Sequence, residues 1–379
     1  MQGLVKSAYL CLALGVSAWG ATLDREAACR QAILQPTLSN IPVPMVGEAG
    51  LFPDLEGGRV PVAFGDKLWA TAITHSDGNS SIAVFEEHRL LSTTAAVRMD
   101  TLAIAPSGAL DHEMGIYTPL YPRVHVVVGG ADKDVWAYQF LPKREGDKTP
   151  TFWHRTGHQE LPDKVGQVFM RPARFETTPQ YGHVEAQLVL ATQPKGLVGM
   201  KTWRDTQLQL LPGKSHIDFD QPVLQAAIQP IIKNAEPWKK KAVPSLEKLE
   251  DHLLVAVATD TQLHFVRMDR ENLEVIHSQP LFLKTSALRF LGYRTHVGFQ
   301  ENWLLLAHEN TVQVARFHIG ERNLTFGNSM KVDKKVVEII PQSPGTFSVV
   351  TENGDVYAMG LDDKQKLYFT NFKPTKKKP

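Results

Sequence analysis

Phe347-Ser348-Val349-Val350-Thr351, then Glu352-Asn353-Gly354-Asp355, then Val356-Tyr357-Ala358-Met359-Gly360-Leu361: two short apolar runs flank an acidic turn that contains a glycine. Runs of this length bounded by turn residues are strand-sized, too short for helices that bury themselves, so the stretch is predicted to be a β-hairpin. The same grammar recurs toward the N-terminus. Residues 303–308 lead through Glu309-Asn310 into 312–317, and 253–259 through Asp260-Thr261 into 263–268. Residues 188–192 lead through Gln193-Pro194-Lys195-Gly196 into 197–203, 124–128 across Gly129-Gly130 into 135–140, and 68–74 through a His75 to Asn79 turn into 81–85.

Each of these six hairpins has room for a further strand on either side. Upstream candidates include residues 101–104, 165–169, 287–291 and 336–340; downstream ones include 273–276, 324–326 and 367–369. Four antiparallel strands make one propeller blade. Hairpins start at residues 68, 124, 188, 253, 303 and 347. The last interval fits the roughly 40–50 residues of a minimal blade, and the wider ones imply loop insertions or one additional degenerate blade. A four-stranded blade cannot bury both faces alone, so repeats must stack, and closing the stack into a ring leaves no terminal face exposed. The predicted fold is therefore all-β, a β-propeller of about six or seven four-stranded blades. A pair of packed sheets is the competing arrangement; the chain-local order of the hairpins favours the ring.

Glu352-Asn353-Gly354-Asp355-Val356-Tyr357-Ala358-Met359, followed by Lys366-Leu367-Tyr368-Phe369, resembles the blade motif of quinoprotein-like and WD-type propellers, in which a glycine turn precedes a Val/Leu-Tyr-Ala strand and an aromatic strand follows. Asp134-Val135-Trp136-Ala137-Tyr138 is a second, less complete copy. The resemblance implies a fold and not an activity, because such rings serve as dehydrogenases, lectins and assembly scaffolds alike.

The ends differ from the repeats. Lys6, an apolar stretch over residues 8–16 and Ala18-Trp19-Gly20 have the order of a secretory leader, so residues 1–20 are predicted to be a signal peptide cleaved before Ala21. The apolar stretch falls short of the roughly 20 residues that a spanning helix needs. Residues 21–50 are expected to form an N-terminal extension with a short helix over 24–34, residues 51–372 the ring, and residues 373–379 a basic tail. Of the two cysteines, Cys11 would leave with the leader and Cys29 would stand alone, which excludes an intramolecular disulfide in the mature chain and suits a bacterial periplasm.

Charge excludes one class of partner. Forty-one Lys and Arg face 40 Asp and Glu, a net charge of +1, so the chain has no global field for a polyanion and nucleic acid is not an expected partner. With 43% hydrophobic residues the chain can build a core, which argues against wholesale disorder.

One segment interrupts the hairpins. In residues 212–250 the stretches 224–228 and 246–249 read as short helical turns between prolines, an inserted loop or helical segment on one face of the ring. It carries Trp238 directly before Lys239, Lys240 and Lys241, an aromatic beside cations that suits a partner contact.

Catalytic motifs are missing. Asp111, His112 and Glu113 are the triplet best suited to a divalent cation, because carboxylates flank an imidazole. His154 and His158 have helical spacing for a metal but sit in a strand pattern, and His308 ends an apolar strand as structural histidines do. Asp77-Gly78-Asn79 lacks the spaced oxygens of a calcium loop, and Gly129-Gly130 opens no helix that could cradle phosphate. No cofactor is called for. Trp69, Trp136, Trp203 and Trp303 lie in the hairpins and are assigned to the inter-blade core, whereas Trp153 and Trp238 fall nearer loops.

The functional expectation is an exported, periplasmic, non-catalytic propeller that scaffolds or helps assemble another envelope or secreted protein, without a transmembrane segment after leader cleavage. The alternative is a propeller enzyme or lectin acting on a saccharide or a quinone-dependent substrate in the central cavity. Convergent acidic, basic or imidazole groups at one mouth of the tunnel would favour that alternative.

Overall fold

A computed structural model describes residues 49–51, 61–64, 68–74, 78–86, 89–106, 125–141, 152–178, 182–203, 208–232, 249–296, 299–343, 346–362 and 366–370. The signal peptide and N-terminal helix readings, the Asp111-His112-Glu113 triplet, Trp238 to Lys241 and the basic tail lie outside these residues. The described elements are β-strands in six antiparallel sheets, and the protein is a six-bladed β-propeller.

Blade 1 contains β1 (Ala49–Leu51), β2 (Pro61–Phe64), β3 (Leu68–Thr74), β4 (Ser80–Glu86) and β5 (Arg89–Ala96). Blade 2 contains β6 (Thr101–Pro106), β7 (His125–Ala131), β8 (Asp134–Leu141) and β9 (Phe152–Glu160). Blade 3 contains β10 (Val168–Thr178), β11 (Gly182–Gln193) and β12 (Gly196–Trp203), with two short outer strands, β13 (Gln209–Leu210) and β14 (His216–Asp218), both paired to β12. Blade 4 contains β15 (Gln225–Ile232), β16 (Leu249–Ala258), β17 (Gln262–Met268) and β18 (Leu273–Pro280). Blade 5 contains β19 (Ala287–His296), β20 (Phe299–His308), β21 (Thr311–His318) and β22 (Asn323–Lys331). Blade 6 contains β23 (Val336–Ser343), β24 (Thr346–Thr351), β25 (Val356–Leu361) and β26 (Leu367–Phe369).

The first strands pack around a common axis in chain order. β2 meets β6, β6 meets β10, β10 meets β16, β15 meets β19, β19 meets β23, and β23 returns to β1. That last contact closes the ring between the two ends of the described chain.

Burial explains why the blades stack. In β20, Leu304, Leu305 and Leu306 are all fully buried, so both faces of this second strand are covered by neighbouring blades. Outer strands are different: β22 alternates buried or half-buried with exposed positions, and only Leu324 is buried. Five apolar clusters each join two consecutive blades, from Val84 and Leu102 between blades 1 and 2 to Leu305 and Val349 between blades 5 and 6. The core is thus a set of interfaces between sheets, which is how the hydrophobic effect stabilises a ring of units that are individually two-faced.

Two expectations are corrected here. Residues 224–228 are not a helical turn: Gln225–Ile232 is the inner strand of blade 4, paired with β16 from Gln225 opposite Ala258 to Ile232 opposite Leu249. Ala226, Ala227 and Ile228 are buried by the neighbouring blades, and this tertiary burial overrides the helical leaning of Gln and Ala. The 212–250 stretch is therefore not one insertion, because β14, β15 and the start of β16 occupy parts of it. Nor do Gly129 and Gly130 make the turn of their hairpin. Both lie inside β7, and the turn is Asp132-Lys133, with Asp132 at φ 50°. Glycine is required at 129 for space, since a Cβ there would collide with Met99 Sδ and lie 3.1 Å from the Thr101 carbonyl oxygen.

Tryptophan follows the core only in part. Trp303 is buried in the cluster between blades 5 and 6, and Trp136 packs half-buried against the one between blades 1 and 2. Trp153 is the second residue of β9, at the start of the strand, and its Nε1–H donates to Ser92 Oγ of blade 1 at 2.7 Å.

Candidate binding face and axial mouth

Each blade-to-blade connection runs from an outer strand to the next inner strand, on the same side as the turns between second and third strands. We call this the upper face. Four connections share one construction: Leu161-Pro162-Asp163-Lys164-Val165, Phe219-Asp220-Gln221-Pro222-Val223, Leu281-Phe282-Leu283-Lys284-Thr285 and Val332-Asp333-Lys334-Lys335-Val336. The leading residue of each is apolar and buried. Its backbone N–H donates to a carbonyl in its own blade's turn: Leu161 to Lys133 at 2.7 Å, Phe219 to Lys195 at 2.6 Å, Leu281 to Thr261 at 2.7 Å and Val332 to Asn310 at 2.9 Å.

The two residues after the apolar plug project outward. In three connections they are Pro-Asp, Asp-Gln and Asp-Lys, as water-facing positions should be. In the connection from blade 4 to blade 5 they are Phe282 and Leu283, which are 99% and 62% exposed. The other exposed large apolar side chains among the described residues lie on outer strands and none exceeds 45%. The Phe282 loop is nevertheless held on both sides. Ser286 N–H donates to the Ala307 carbonyl at 2.8 Å, His308 Nδ1–H donates to the Lys284 carbonyl at 3.3 Å, and Lys284 Nζ lies 2.9 Å from Asp260 Oδ1. A fixed loop that presents an uncovered phenyl ring loses little conformational entropy when another surface covers it.

Inside this rim the axis opens into a cavity of about 280 Å³ that reaches residues of blades 3, 4, 5 and 6. Its charged lining consists of Lys284, Arg289, Lys335 and Glu338. Arg289 and Glu338 project from β19 and β23, each side chain 7% exposed, with Nη2 and Oε1 3.9 Å apart; Arg289 Nε–H also donates to the Ile339 carbonyl at 3.2 Å. The mouth therefore mixes these charged side chains with apolar ones such as Leu224 and Val337.

A second, open groove of about 630 Å³ lies at the seam of blades 1 and 2, lined by Thr94, Tyr138, Trp153 and Arg155 among others. Beside it, Trp136 has two ring contacts: the Arg155 guanidinium lies 5.0 Å from its ring centroid, and His158 stacks on it at 3.8 Å. His158 Nε2 is 2.6 Å from Asp134 Oδ1. This places His158 in a surface stack on a strand. Among the described residues no three His, Cys, Asp or Glu side chains converge on a metal position.

His308, predicted to be structural, is buried at the end of β20 under the Phe282 loop. Burial pushes its imidazole below the ordinary value of 6.5, partly offset by the carbonyls of Lys284 and Leu283. His264 is shifted the same way by burial, partly offset by Asp220; it stacks on Phe219 at 4.5 Å and shares a 2.8 Å hydrogen bond with Ser278 Oγ. A histidine with a lowered native pKa is neutral in the fold and takes up its proton on unfolding. Its stabilising contribution is therefore complete above about pH 6.5 and is lost as pH falls through the lowered native value. The urea midpoint is expected to drop between pH 7.5 and pH 5, and to drop less in His308→Gln, as measured by circular dichroism.

Of the sequence-based site residues, none on the described chain converges with another into a catalytic group. The features that do converge, Phe282 with Leu283 and the axial cations, carry no motif. Only alignment of the four connections against one another exposes the first pair.

The fold and this face define the class of protein: a six-bladed β-propeller with one decorated upper rim. No protein-family model matches the chain, and no curated protein matches it either. Solved structures do resemble it. A chain from the crystal structure of BBS1N in complex with ARL6DN is 10% identical, with 83% of this chain and 93% of that one covered and a TM-score of 0.43. A protein from Lactobacillus plantarum is 11% identical over 86% and 96%, with a TM-score of 0.46. A functionally unknown protein from Desulfotomaculum acetoxidans is 13% identical over 77% and 75%, with a TM-score of 0.43. No helix among the described residues is long and apolar enough to cross a membrane.

Proposed function

We propose that this chain is an exported, non-catalytic propeller that holds another envelope protein against its upper face, with Phe282 and Leu283 as the apolar anchor. One observation carries the reading. Four connections share a backbone design, and the only one whose outward positions are apolar leaves them uncovered by its own chain. The fold does not need that pair, because Asp, Gln, Pro and Lys serve the same positions elsewhere. Buried aromatic anchors supply a disproportionate share of interface energy, and an exposed one on a held loop is such an anchor before its partner arrives. Export is supported by the leader-like order of Lys6, the apolar stretch after it and Ala18-Trp19-Gly20.

Phe282→Asp is expected to reduce capture of the partner from envelope extract by at least tenfold, the usual result of truncating a hot spot worth about 2 kcal/mol. Its melting temperature should stay unchanged, because the ring touches nothing it stabilises. Full capture by the variant would refute the reading.

The charged side chains of the axial mouth are what favours the alternative of an enzyme in the central cavity. Hydrolysis of a saccharide needs two carboxyl groups facing one bond, or an acid and a base within reach. Glu338 is the only carboxylate lining the described cavity, and no imidazole lines it. Scaffold is the better-supported role.

A further inference from the structure

The chain holds two Asn-x-Ser/Thr triplets, and each has a carboxylate two residues before the asparagine: Asp77-Gly78-Asn79-Ser80-Ser81 and Glu321-Arg322-Asn323-Leu324-Thr325. The triplet is the acceptor pattern for asparagine-linked glycans, in which the hydroxyl two residues on gives the transferring enzyme a grip on the segment. Bacterial envelope transferases require the preceding carboxylate as well, a charge that an enzyme arginine can pair with. Asp and Glu fill 40 of 379 positions, about one in ten, so acids at both places arise by chance about once in a hundred such pairs. Asp77 lies outside the described residues, which leaves Asn323 as the copy whose surroundings are known.

The fold presents that copy and does not use it. Glu321 and Arg322 close the β21–β22 turn, with Arg322 at φ 51°, and Glu321, Arg322 and Asn323 are exposed. Neither the Glu321 carboxylate nor the Asn323 amide has an ion pair or side-chain hydrogen bond among the described residues. Thr325 lies in β22 opposite Arg316, and its hydroxyl oxygen is buried with no hydrogen-bond partner. Valine would fill that strand position without stranding a hydroxyl. A hydroxyl that costs the fold stability and serves nothing within it is explained by a use before the fold forms. In the finished ladder an enzyme cannot reach Thr325, so the transfer belongs to the exported chain before β22 docks on β21; afterwards the exposed Asn323 holds the glycan in solvent on the lower face.

We infer that Asn323 is a glycan acceptor for an envelope oligosaccharyltransferase, with Glu321 and Thr325 as its recognition residues. The donor is an oligosaccharide carried on a polyprenyl diphosphate. Asn323 Nδ2 attacks C1 of the first sugar; the C1–O bond breaks and the lipid diphosphate leaves with the electron pair. The N–C1 bond forms, and the nitrogen gives one proton to a base of the enzyme. The inference rests on the export reading and not on the Phe282 anchor. It agrees with the upper-face account, because a glycan at this turn bars close protein contact on the lower face of blade 5.

The test expresses the full chain in a bacterium that carries an oligosaccharyltransferase and its lipid-linked glycan, once with residues 1–20 in place and once with an established export leader instead. Mass spectrometry of the periplasmic protein is expected to find the glycan on Asn323, and an inactive transferase to abolish it. Glu321→Gln should lower occupancy about tenfold or more, as loss of one charge-assisted hydrogen bond does. Thr325→Val should abolish the glycan without lowering the urea midpoint, and Thr325→Ser should retain it. A threonine kept for the fold alone predicts lost stability and an unchanged glycan instead. A chain that only the established leader exports, and that is glycosylated there, refutes the export reading and upholds the acceptor. An unmodified Asn323 in periplasmic chain, or equal occupancy in Glu321→Gln or Thr325→Val, would overturn the assignment.

Discussion

Phe317→Ala is expected to lower the unfolding free energy by about 3–5 kcal/mol, and Phe265→Ala by a similar amount. These rings are fully buried in adjacent blades and stack at 3.7 Å between centroids with planes 5° apart. His277 tilts against both, at 6.2 Å from Phe265 and 5.6 Å from Phe317. The pair belongs to the cluster in which Leu254 and Leu263 of blade 4 meet Leu304 and Leu306 of blade 5. Neither blade can collapse inward to refill a void there, since each sheet is held by its own ladder and by the neighbour beyond it. Truncation removes both the transfer free energy and the stacking contact and leaves most of the cavity open. Urea unfolding followed by circular dichroism measures the loss. Phe326→Ala, at a position 42% exposed on β22, should change stability by less than about 0.5 kcal/mol and serves as the control.

The second large effect lies at the axis. Arg289→Ala is expected to cost about 3–5 kcal/mol, because it strips the counter-charge from a buried carboxylate and removes the bond to the Ile339 carbonyl that ties β19 to β23. Replacing both partners, Arg289→Met with Glu338→Leu, should recover most of the loss. A buried ion pair repays little more than its own desolvation, and apolar groups of similar volume do as well. The double variant is thus expected to be far more stable than Arg289→Ala by thermal or urea unfolding. A double variant as unstable as the single one would mean that the guanidinium matters by its shape and packing rather than its charge.

The fold was legible because the core is made of hairpins that are each local in the chain. Val349, Val350 and Val356 announce their strands by run length and by the Glu352-Asn353-Gly354 turn, and Leu367-Tyr368-Phe369 is a strand with the expected bounds. Blade 4 shows where such reading runs out. Gln225-Ala226-Ala227 leans away from strand, with only Ile228 favouring it, and the stretch is a strand because β16 pairs with it and β19 packs across it. Gly129 and Gly130 misled for the opposite reason: the glycines look like a turn but are selected by the approach of Met99 and Val165 to a strand. The binding face was not legible as a motif. Phe282 and Leu283 look like any apolar pair until the four connections are superposed and three of them prove polar. The partner-contact expectation at Trp238, Lys239, Lys240 and Lys241 lies outside the described residues.

One measurement decides between the two faces of the ring. A photo-crosslinking residue placed at Phe282 in the full chain, compared with the same residue at Glu321 in the β21–β22 turn of the lower face, reports which face meets the partner in the living cell. A discrete adduct from position 282 and none from 321 is the predicted result; adducts from 321 alone, or from neither, would contradict the upper-face account.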